Sequence, residues 1–479
     1  MNNKAYLAFD FGASSGRLML AEVGSACGDS VMTLTEIHRF PNEPVWMNGH
    51  FYWDFPRLFH ELKQGLKKAA RLGKDYAGIG IDTWGVDYGY IDKNGQLMAN
   101  PNCYRDPKNA GCMAEMDEEW SFAECYRIAG IQKMDFNTIY QLYGDVKNRP
   151  WVVKNADKAL FMPDLFAYFL TGKMVCEYSD ASTGQLLDAK TRDFSEEILQ
   201  HIGITRDLFP PMVKPGTVIG YLTDAVCEET GMKKVPVIAV GSHDTASAVC
   251  GTPLSGPDSI FLSSGTWALI GMELPEPVIT DESLRLNFTN EGGVENTIRF
   301  LKNITGLWIL QQLKKKWNET DPSLGYPEII KAAREAVRRD FVIDPDEPCF
   351  SAPLDMVKAV QTYCEEHGQG RPETVGELAM AAYNGLARKI GQHARELGRV
   401  AGRQVTDIHM VGGGIQDEFL CGRIVEESGM KLVTGPIEAA VCGNVLMQMK
   451  AVGDMADLRE GRALVARSFP IRTYEPKEV

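Results

Sequence analysis

Apolar and polar residues alternate along three early stretches, residues 5–12, 17–23 and 31–40, and short turn-forming runs separate them. A period of two marks half-buried strands, so the chain is predicted to open with three strands in hairpin order. Over residues 56–72 the period changes, and Leu58, Leu62, Leu66, Ala69 and Ala70 recur at helical spacing. Residues 78–84, GIGIDTW, read as a short buried strand. This order of strand, strand, strand, helix, strand departs from the strict strand–helix alternation of a dinucleotide-binding fold. Residues 101–215 read as mostly helix and loop, with PDLFAYFLTG at 163–172. Residues 235–240 form another buried strand, from which GSHDTASAV at 241–249 turns into a helix.

The opening pattern then returns. Residues 5–20 and residues 258–272 each carry an apolar run, a Ser-Ser-Gly turn and a second apolar run. Two strands surround the second turn, and a helix is predicted over about 306–319. A long helix follows over 375–401, with Thr374 and Glu377 spaced as a capping box. Residues 406–411 form a strand that runs into Gly412, Gly413 and Gly414. Helix 416–428, strand 431–434 and a closing helix over 437–452 complete the pattern. At 479 residues the chain exceeds one typical core. The expected organisation is therefore an α/β protein with domains at 1–251 and 258–479, joined through a stretch rich in Gly, Pro and Ser.

Composition narrows the ligand classes. A hydrophobic content of 44% with 24% charged residues is that of a soluble globular protein. The net charge of −14 argues against nucleic-acid or anionic-membrane partners. An anionic small molecule would then be held by local N–H groups and a metal. The eleven cysteines include no CxxC pair, and the spacing of Cys103, Cys112 and Cys125 fits no zinc ribbon. Reduced thiols in a cytoplasmic protein are the expectation. The N-terminal residues read as a strand and not as a signal peptide, and no apolar run approaches the roughly 18 residues that span a bilayer.

The doubled turn is the first candidate for chemistry. Small residues between two strands let backbone N–H groups approach an anion, so two such turns point to one phosphate ligand gripped from two sides. The first, residues 12–17, lacks the Walker lysine and is not GxGxxG; the second is residues 263–266. Asp10, at the end of the first strand, either binds metal-bound waters beside a phosphate or orders the turn through an Asx bond. Asp244 follows a buried strand, where it either accepts a hydroxyl proton during phosphoryl transfer or caps a helix. His243 beside it is a sugar ligand or a structural hydrogen bonder. Asp82 and Asp87 flank Thr83-Trp84-Gly85-Val86, and they bind a polyol, with Trp84 stacking on a sugar face, or else belong to the core and loops. The three glycines at 412–414 admit a flat ring or a phosphate to the backbone, or simply form a helix-entry turn.

Taken together, DFGASSGRLML at 10–20, GIDTWGVD at 80–87, YRD at 104–106, MPDLFAYFLTGK at 162–173 and SHDTASAV at 242–249 resemble the FGGY family of carbohydrate kinases. In the second half LSSGTWALIG at 262–271, TNEGG at 289–293, LKNITGLWILQ at 301–311 and IHMVGGGIQ at 408–416 continue the likeness. The resemblance implies two ribonuclease H-like domains of the actin/hexokinase/Hsp70 ATPase type with a cleft between them. It implies ATP and Mg²⁺, and transfer of phosphate to C1 of the ketose L-rhamnulose. Ala13, Ser14, Ser15, Gly16 and Arg17 would form the first ATP phosphate loop, and Thr266, Gln311 and Gly414 would line the nucleotide site. Gly85, His243, Asp244, Thr245 and Asn303 would contact the sugar, Asp244 would be the proton acceptor, and Asp10 would serve the metal. Another ketose, such as fuculose or xylulose, is the alternative substrate, and an actin-like ATPase switch is the alternative function. A monomer or weak homodimer is expected, without disulfides. FDFGAS replaces the VDLGAS form of the family. EYSDASTGQ at 177–185 replaces the more usual Asn-Ala-Thr-Thr-Thr-Gln run, so the sugar-side contacts there are expected to differ.

Overall fold

The computed structural model describes residues 4–26, 29–351 and 353–477. The chain forms two compact units. The first contains the chain up to Pro253 together with Glu273–Phe300 and Glu438–Phe469; the second contains Leu254–Met272, Leu301–Ile437 and the residues from Pro470 on.

The first unit is built on a six-stranded sheet of β1 (Lys4–Phe11), β2 (Ser15–Ala26), β3 (Asp29–Pro41), β4 (Tyr76–Thr83), β5 (Thr217–Tyr221) and β6 (Pro236–Ala239). The strand order is β5-β6-β4-β1-β2-β3. β1, β2 and β3 are the expected antiparallel run, whereas β1, β4 and β6 lie parallel. The carboxyl ends of three neighbouring strands thus reach the same sheet edge, the usual ligand side of an open α/β sheet.

The period of two along β1 sorts its residues between two cores. Leu7, Phe9 and Phe11 pack with Leu58, Leu62 and Leu66 of helix Phe55–Arg71 and with Leu165 and Phe166 of helix Met162–Thr171. Tyr6 and Ala8 face the other way, onto Val441, Val445 and Leu446 of helix Ala439–Ala451. That helix and the following one, Leu458–Ser468, come late in sequence yet complete the first unit. Packing therefore crosses the sequence division at 251/258, because the apolar side of the late helix covers this face of the first sheet.

The second unit contains β7 (Ile260–Ser264) and most of β8 (Trp267–Leu274); β9 (Thr289–Gly292) and the start of β10 (Ile298–Thr305) pack with the first unit. With β11 (Asp407–Val411), β12 (Lys431–Thr434) and β13 (Thr473–Tyr474) they form a sheet of order β9-β10-β8-β7-β11-β12-β13. β7 pairs antiparallel with β8 and parallel with β11, as β1 pairs with β2 and β4. The sequence repeat is thus a structural repeat. Helix Val375–Ala401 begins at the expected capping box and ends at Gly402, whose φ of 64° stops it in the left-handed conformation.

Several elements depart from the sequence reading. An unexpected strand, Tyr88–Asp92, pairs antiparallel with a second, Ala156–Phe161, which lies inside the stretch 101–215 read as mostly helix and loop. The second runs straight into helix Met162–Thr171, and a short apolar run continuous with a helix has no period of its own. Strands β5, β9 and β10 and helices Tyr326–Glu335, Met356–Glu366 and Leu458–Ser468 were likewise not expected. The ten described cysteines are all unpaired; Cys27 lies outside the described residues.

Candidate active site

Glycine explains how the acidic end of the sheet is built. Gly78, Gly80 and Asp82 share one face of β4, and Ile79 and Ile81 point into the opposite core. A Cβ on Gly80 would lie 2.1 Å from Asn444 Oδ1, and one on Gly78 would lie 2.8 Å from Gln448 Oε1. Without side chains there, helix Ala439–Ala451 lies close against the strand. One step further along, Asn444 Nδ2 donates to Asp82 Oδ2 at 2.6 Å. Asp82 is fully buried, and its Oδ1 has no hydrogen-bond partner among the described residues.

Asp10 is the direct register partner of Asp82 across β1 and β4. Burial, then the charge of Asp10, pushes the Asp82 carboxyl well above the usual range. Arg17 answers Asp10 from β2, with Nη2 and Nε at 2.7 and 3.0 Å from Oδ2, and it also pairs with Glu438. Two residues expected to serve metal and phosphate separately are therefore ion-paired with each other. The turn between them is braced by Asn42, whose Nδ2 donates to Gly12 O at 2.8 Å and whose N–H donates to Ser14 O at 3.1 Å. Ser15 and Gly16 begin β2, and Gly16 packs under Phe40, where a Cβ would come within 2.3 Å of the ring. Ala13 and Ser14 stand exposed at the tip.

Asp244 begins helix Asp244–Cys250. The cap position is taken by His243 and not by Asp244, which stands in the first turn, where a carboxylate suits the helix N-terminus; its side chain keeps 36% of its surface open. Thr245 N–H donates to its Oδ1 at 2.7 Å, which fixes the rotamer. Burial raises the carboxyl; His243 lowers it and Asp10 raises it further, and the outcome is above the ordinary aspartate range. His243 Nε2 stands 3.3 Å from the same Oδ1.

Sequence reasoning missed what holds His243. Arg299 on β10 is fully buried and donates from Nε to Gly292 O at 2.8 Å. Its Nη2 lies 3.2 Å from His243 Nδ1, and its Nη1 lies 3.1 Å from Glu291 Oε2. With Arg299 donating to Nδ1, a neutral His243 carries its proton on Nε2, toward Asp244. Burial would raise Glu291, but Arg299 and then His243 bring it below the usual glutamate range. The available signal was TNEGG at 289–293, which sets an acid directly before two glycines.

Gly85 and Val86 form the other wall. A Cβ on Gly85 would meet Thr183 Oγ1 at 2.9 Å. Val86 has φ of 69°, a left-handed conformation that costs a β-branched residue strain. Its N–H donates to Thr183 Oγ1 at 3.1 Å, and its carbonyl accepts from Thr138 Oγ1 at 2.7 Å. Asp87 accepts from Trp53 Nε1, Trp84 Nε1, Gln141 Nε2 and Tyr104 N–H at 2.6–3.1 Å. Burial pushes it up to about 6, and these donors restrain the rise. Asp87 is therefore a hub that fixes the loop, and Trp84, 5% exposed, packs against Trp53 with ring centroids 4.3 Å apart.

Within the second unit, three expected nucleotide residues meet at the repeated turn. Thr266 Oγ1 donates to Gln311 Oε1 at 3.3 Å, and Thr266 O accepts from Gly306 N–H at 3.1 Å. A Cβ on Gly414 would lie 2.2 Å from Ser264 Oγ, which itself has no hydrogen-bond partner among the described residues. Gly412 has φ of 85°. The Gly-rich strand end and the turn thus touch only because side chains are absent there. Asn303 lies on β10 in this second unit, and Gly85, His243, Asp244 and Thr245 belong to the first.

Comparison with known proteins agrees with this layout. The family model described as FGGY family of carbohydrate kinases, N-terminal domain, matches residues 5–251, and the one for the C-terminal domain matches residues 260–452. A rhamnulokinase of Bacteroides thetaiotaomicron is 42% identical over 474 residues, covering 99% of this chain and 96% of that protein. A rhamnulokinase of Enterococcus faecalis is 38% identical over 481 residues, covering 100% and 96%. A ligand-bound xylulose kinase from Lactobacillus acidophilus, 15% identical, shares the fold with a TM-score of 0.82 over 99% of this chain and 94% of that one. Among the described residues no helix is long and apolar enough to cross a membrane. Both family domains are matched in order across a duplicated two-unit fold, and the chain belongs to the FGGY family of carbohydrate kinases.

Proposed function

We propose that this sugar kinase transfers the γ-phosphoryl group of ATP to the C1 hydroxyl of L-rhamnulose, giving L-rhamnulose 1-phosphate and ADP. The observation that carries the substrate assignment is identity of 42% and 38%, over nearly the whole chain, to proteins named for that reaction. Asp244 is the proton acceptor: its carboxylate is fixed by Thr245, partly open, and raised toward the range of a useful base. The C1 hydroxyl gives its proton to Asp244 as its oxygen bonds to phosphorus and the bond to the ADP oxygen breaks. The transition state is loose, so positioning and charge stabilisation dominate. Gly85, His243, Thr245 and Asn303 bind the ketose; residues 13–17 hold phosphate, and Thr266, Gln311 and Gly414 hold the nucleotide.

Among the described residues no three His, Cys, Asp or Glu side chains converge on one metal position. Mg²⁺ commonly keeps several waters and binds through one or two carboxylates plus substrate phosphates. The adjacent strand-end carboxylates Asp10 and Asp82, one with an orphaned buried oxygen, fit that mode. Asp10, with Asp82 beside it in register, would hold the ion, which would offset phosphate charge in an acidic protein.

A coupled ADP-release assay over L-rhamnulose, L-fuculose and D-xylulose tests the substrate. The expected kcat/KM for L-rhamnulose exceeds the others by at least about tenfold, or ~1.4 kcal/mol. Preference for another ketose replaces the substrate, and slow ATP hydrolysis indifferent to every ketose favours the switch reading. For the nucleotide site, Gly414→Val forces its Cβ toward Ser264. We expect ATP affinity to fall by at least about tenfold while ketose affinity stays within about twofold. Titration calorimetry with each ligand separates the two, and the reverse pattern would refute the assignment.

A further inference from the structure

The short helix Tyr178–Ala181 lies in the segment where the chain departs from the usual family run. Glu177 caps it, accepting from Ser179 N–H at 2.8 Å and from Asp180 N–H at 3.1 Å. The same glutamate accepts from Ser242 N–H at 3.2 Å, and Ser179 Oγ accepts from His243 N–H at 3.3 Å. Thr183 Oγ1, which holds Val86, donates in turn to the Asp180 carbonyl at 2.7 Å. On the other side Ser182 Oγ accepts from Gly292 N–H at 2.7 Å, next to Glu291. This one segment therefore braces the backbone beside Gly85, beside His243 and beside Glu291, all within the first unit.

In its middle stands Asp180. Its side chain is fully buried, and neither carboxyl oxygen has a hydrogen-bond partner among the described residues. Asp87 beside it is met by four donors, and Glu177 by four as well. The orphaned pair on Asp180 is thus not a property of the whole buried acidic region. Thr183 Oγ1 bridges the Asp180 carbonyl and the Val86 N–H, so the backbone of Asp180 is one side chain away from the Gly85 loop; burial, and then the charges of Asp164, Glu177, Asp244 and Asp87, raise its carboxyl well above the usual range. A buried polar group with no partner is costly and calls for an explanation. Sites that bind small polar ligands commonly place a few such groups in an otherwise apolar or satisfied wall.

We infer that Asp180 is a sugar-binding, specificity-determining residue, whose carboxyl oxygens are met by hydroxyls of the bound ketose. The inference rests on the ketose-kinase reading above. A polyol suits this position because each hydroxyl both donates and accepts, so it serves the carboxyl in either protonation state. A cation is a poorer fit, since no cluster of metal-ligating side chains includes Asp180 among the described residues.

The test uses whichever ketose the full-length enzyme phosphorylates best. Asp180→Ala is expected to raise the KM for that ketose at least about tenfold, to leave the ATP KM within about twofold, and not to lower the melting temperature. A role in bracing the loop alone predicts the opposite: lower thermal stability with the ketose KM unchanged, which overturns the inference. A crystal structure of the wild-type enzyme with the ketose reads the contact directly. A sugar oxygen within about 3.2 Å of an Asp180 oxygen supports it, and none within about 3.5 Å overturns it, even if the alanine variant fails to fold. Absence of turnover with every ketose would instead sink the kinase reading itself.

Discussion

Asp244→Asn is expected to abolish turnover, lowering kcat by at least about 10³-fold, within the range found when a general base is lost. The amide keeps the shape and can still accept from Thr245 N–H, so the helix start is preserved. ATP affinity is expected within about twofold of wild type by calorimetry, since Thr266, Gln311 and Gly414, the residues proposed to hold the nucleotide, lie in the other unit. The pH profile gives a second readout. A base works only when deprotonated, and burial together with the charge of Asp10 raises Asp244 above the ordinary aspartate range, His243 notwithstanding. Activity is therefore full above that raised value and is lost as pH falls through it, so the acid limb of kcat/KM lies above the usual aspartate pKa. His243→Ala removes a lowering influence and should move the limb further up. A limb that stays put in both histidine variant and wild type, or wild-type turnover in Asp244→Asn, removes the base assignment.

How much of this could be read from the chain depends on what each residue does. The doubled turn was legible because its signal is local: an apolar run, small residues and another apolar run generate the same hairpin in β1–β2 and β7–β8. Asp10 and Asp244 were legible because each ends or follows a strand. The partners of these residues were not. Asn444 reaches Asp82 across 362 positions, and the two glycines that admit it look like ordinary small residues of a strand. Arg299 sits in a stretch of mostly apolar residues with no local sign that a histidine 56 positions earlier needs a donor. The late helix that completes the first unit is invisible to a division drawn along the sequence, since only the sheet face it covers shows where it belongs. Periodicity reports one element's own burial; it does not report which distant element supplies the other side.

Arg299→Met is expected to have the largest effect on stability. Methionine fills much of the same space but withdraws every donor, leaving Glu291 buried without its guanidinium partner. Breaking a buried ion pair by removing one partner typically costs about 3–5 kcal/mol, mostly because the remaining charge is stranded. The pH dependence should reverse with it. In the wild type Glu291 titrates below the usual glutamate range, so its pairing stabilises the fold above the unfolded pKa and that contribution is lost as pH falls through the folded value. Without Arg299 burial dominates and raises Glu291, so the variant suffers most near neutrality and recovers part of the loss on acidification. Adding Glu291→Gln removes the stranded charge and should restore much of the denaturation midpoint. It should not restore kcat, because His243 Nδ1 still lacks the donor that keeps its proton on the Asp244 side. Denaturant melts of the single and double variants at neutral and acidic pH, read alongside kcat, separate the two roles. A single variant as stable as wild type would show that the pair does not hold the fold, and full activity in the double variant would show that the orientation of His243 does not matter to Asp244.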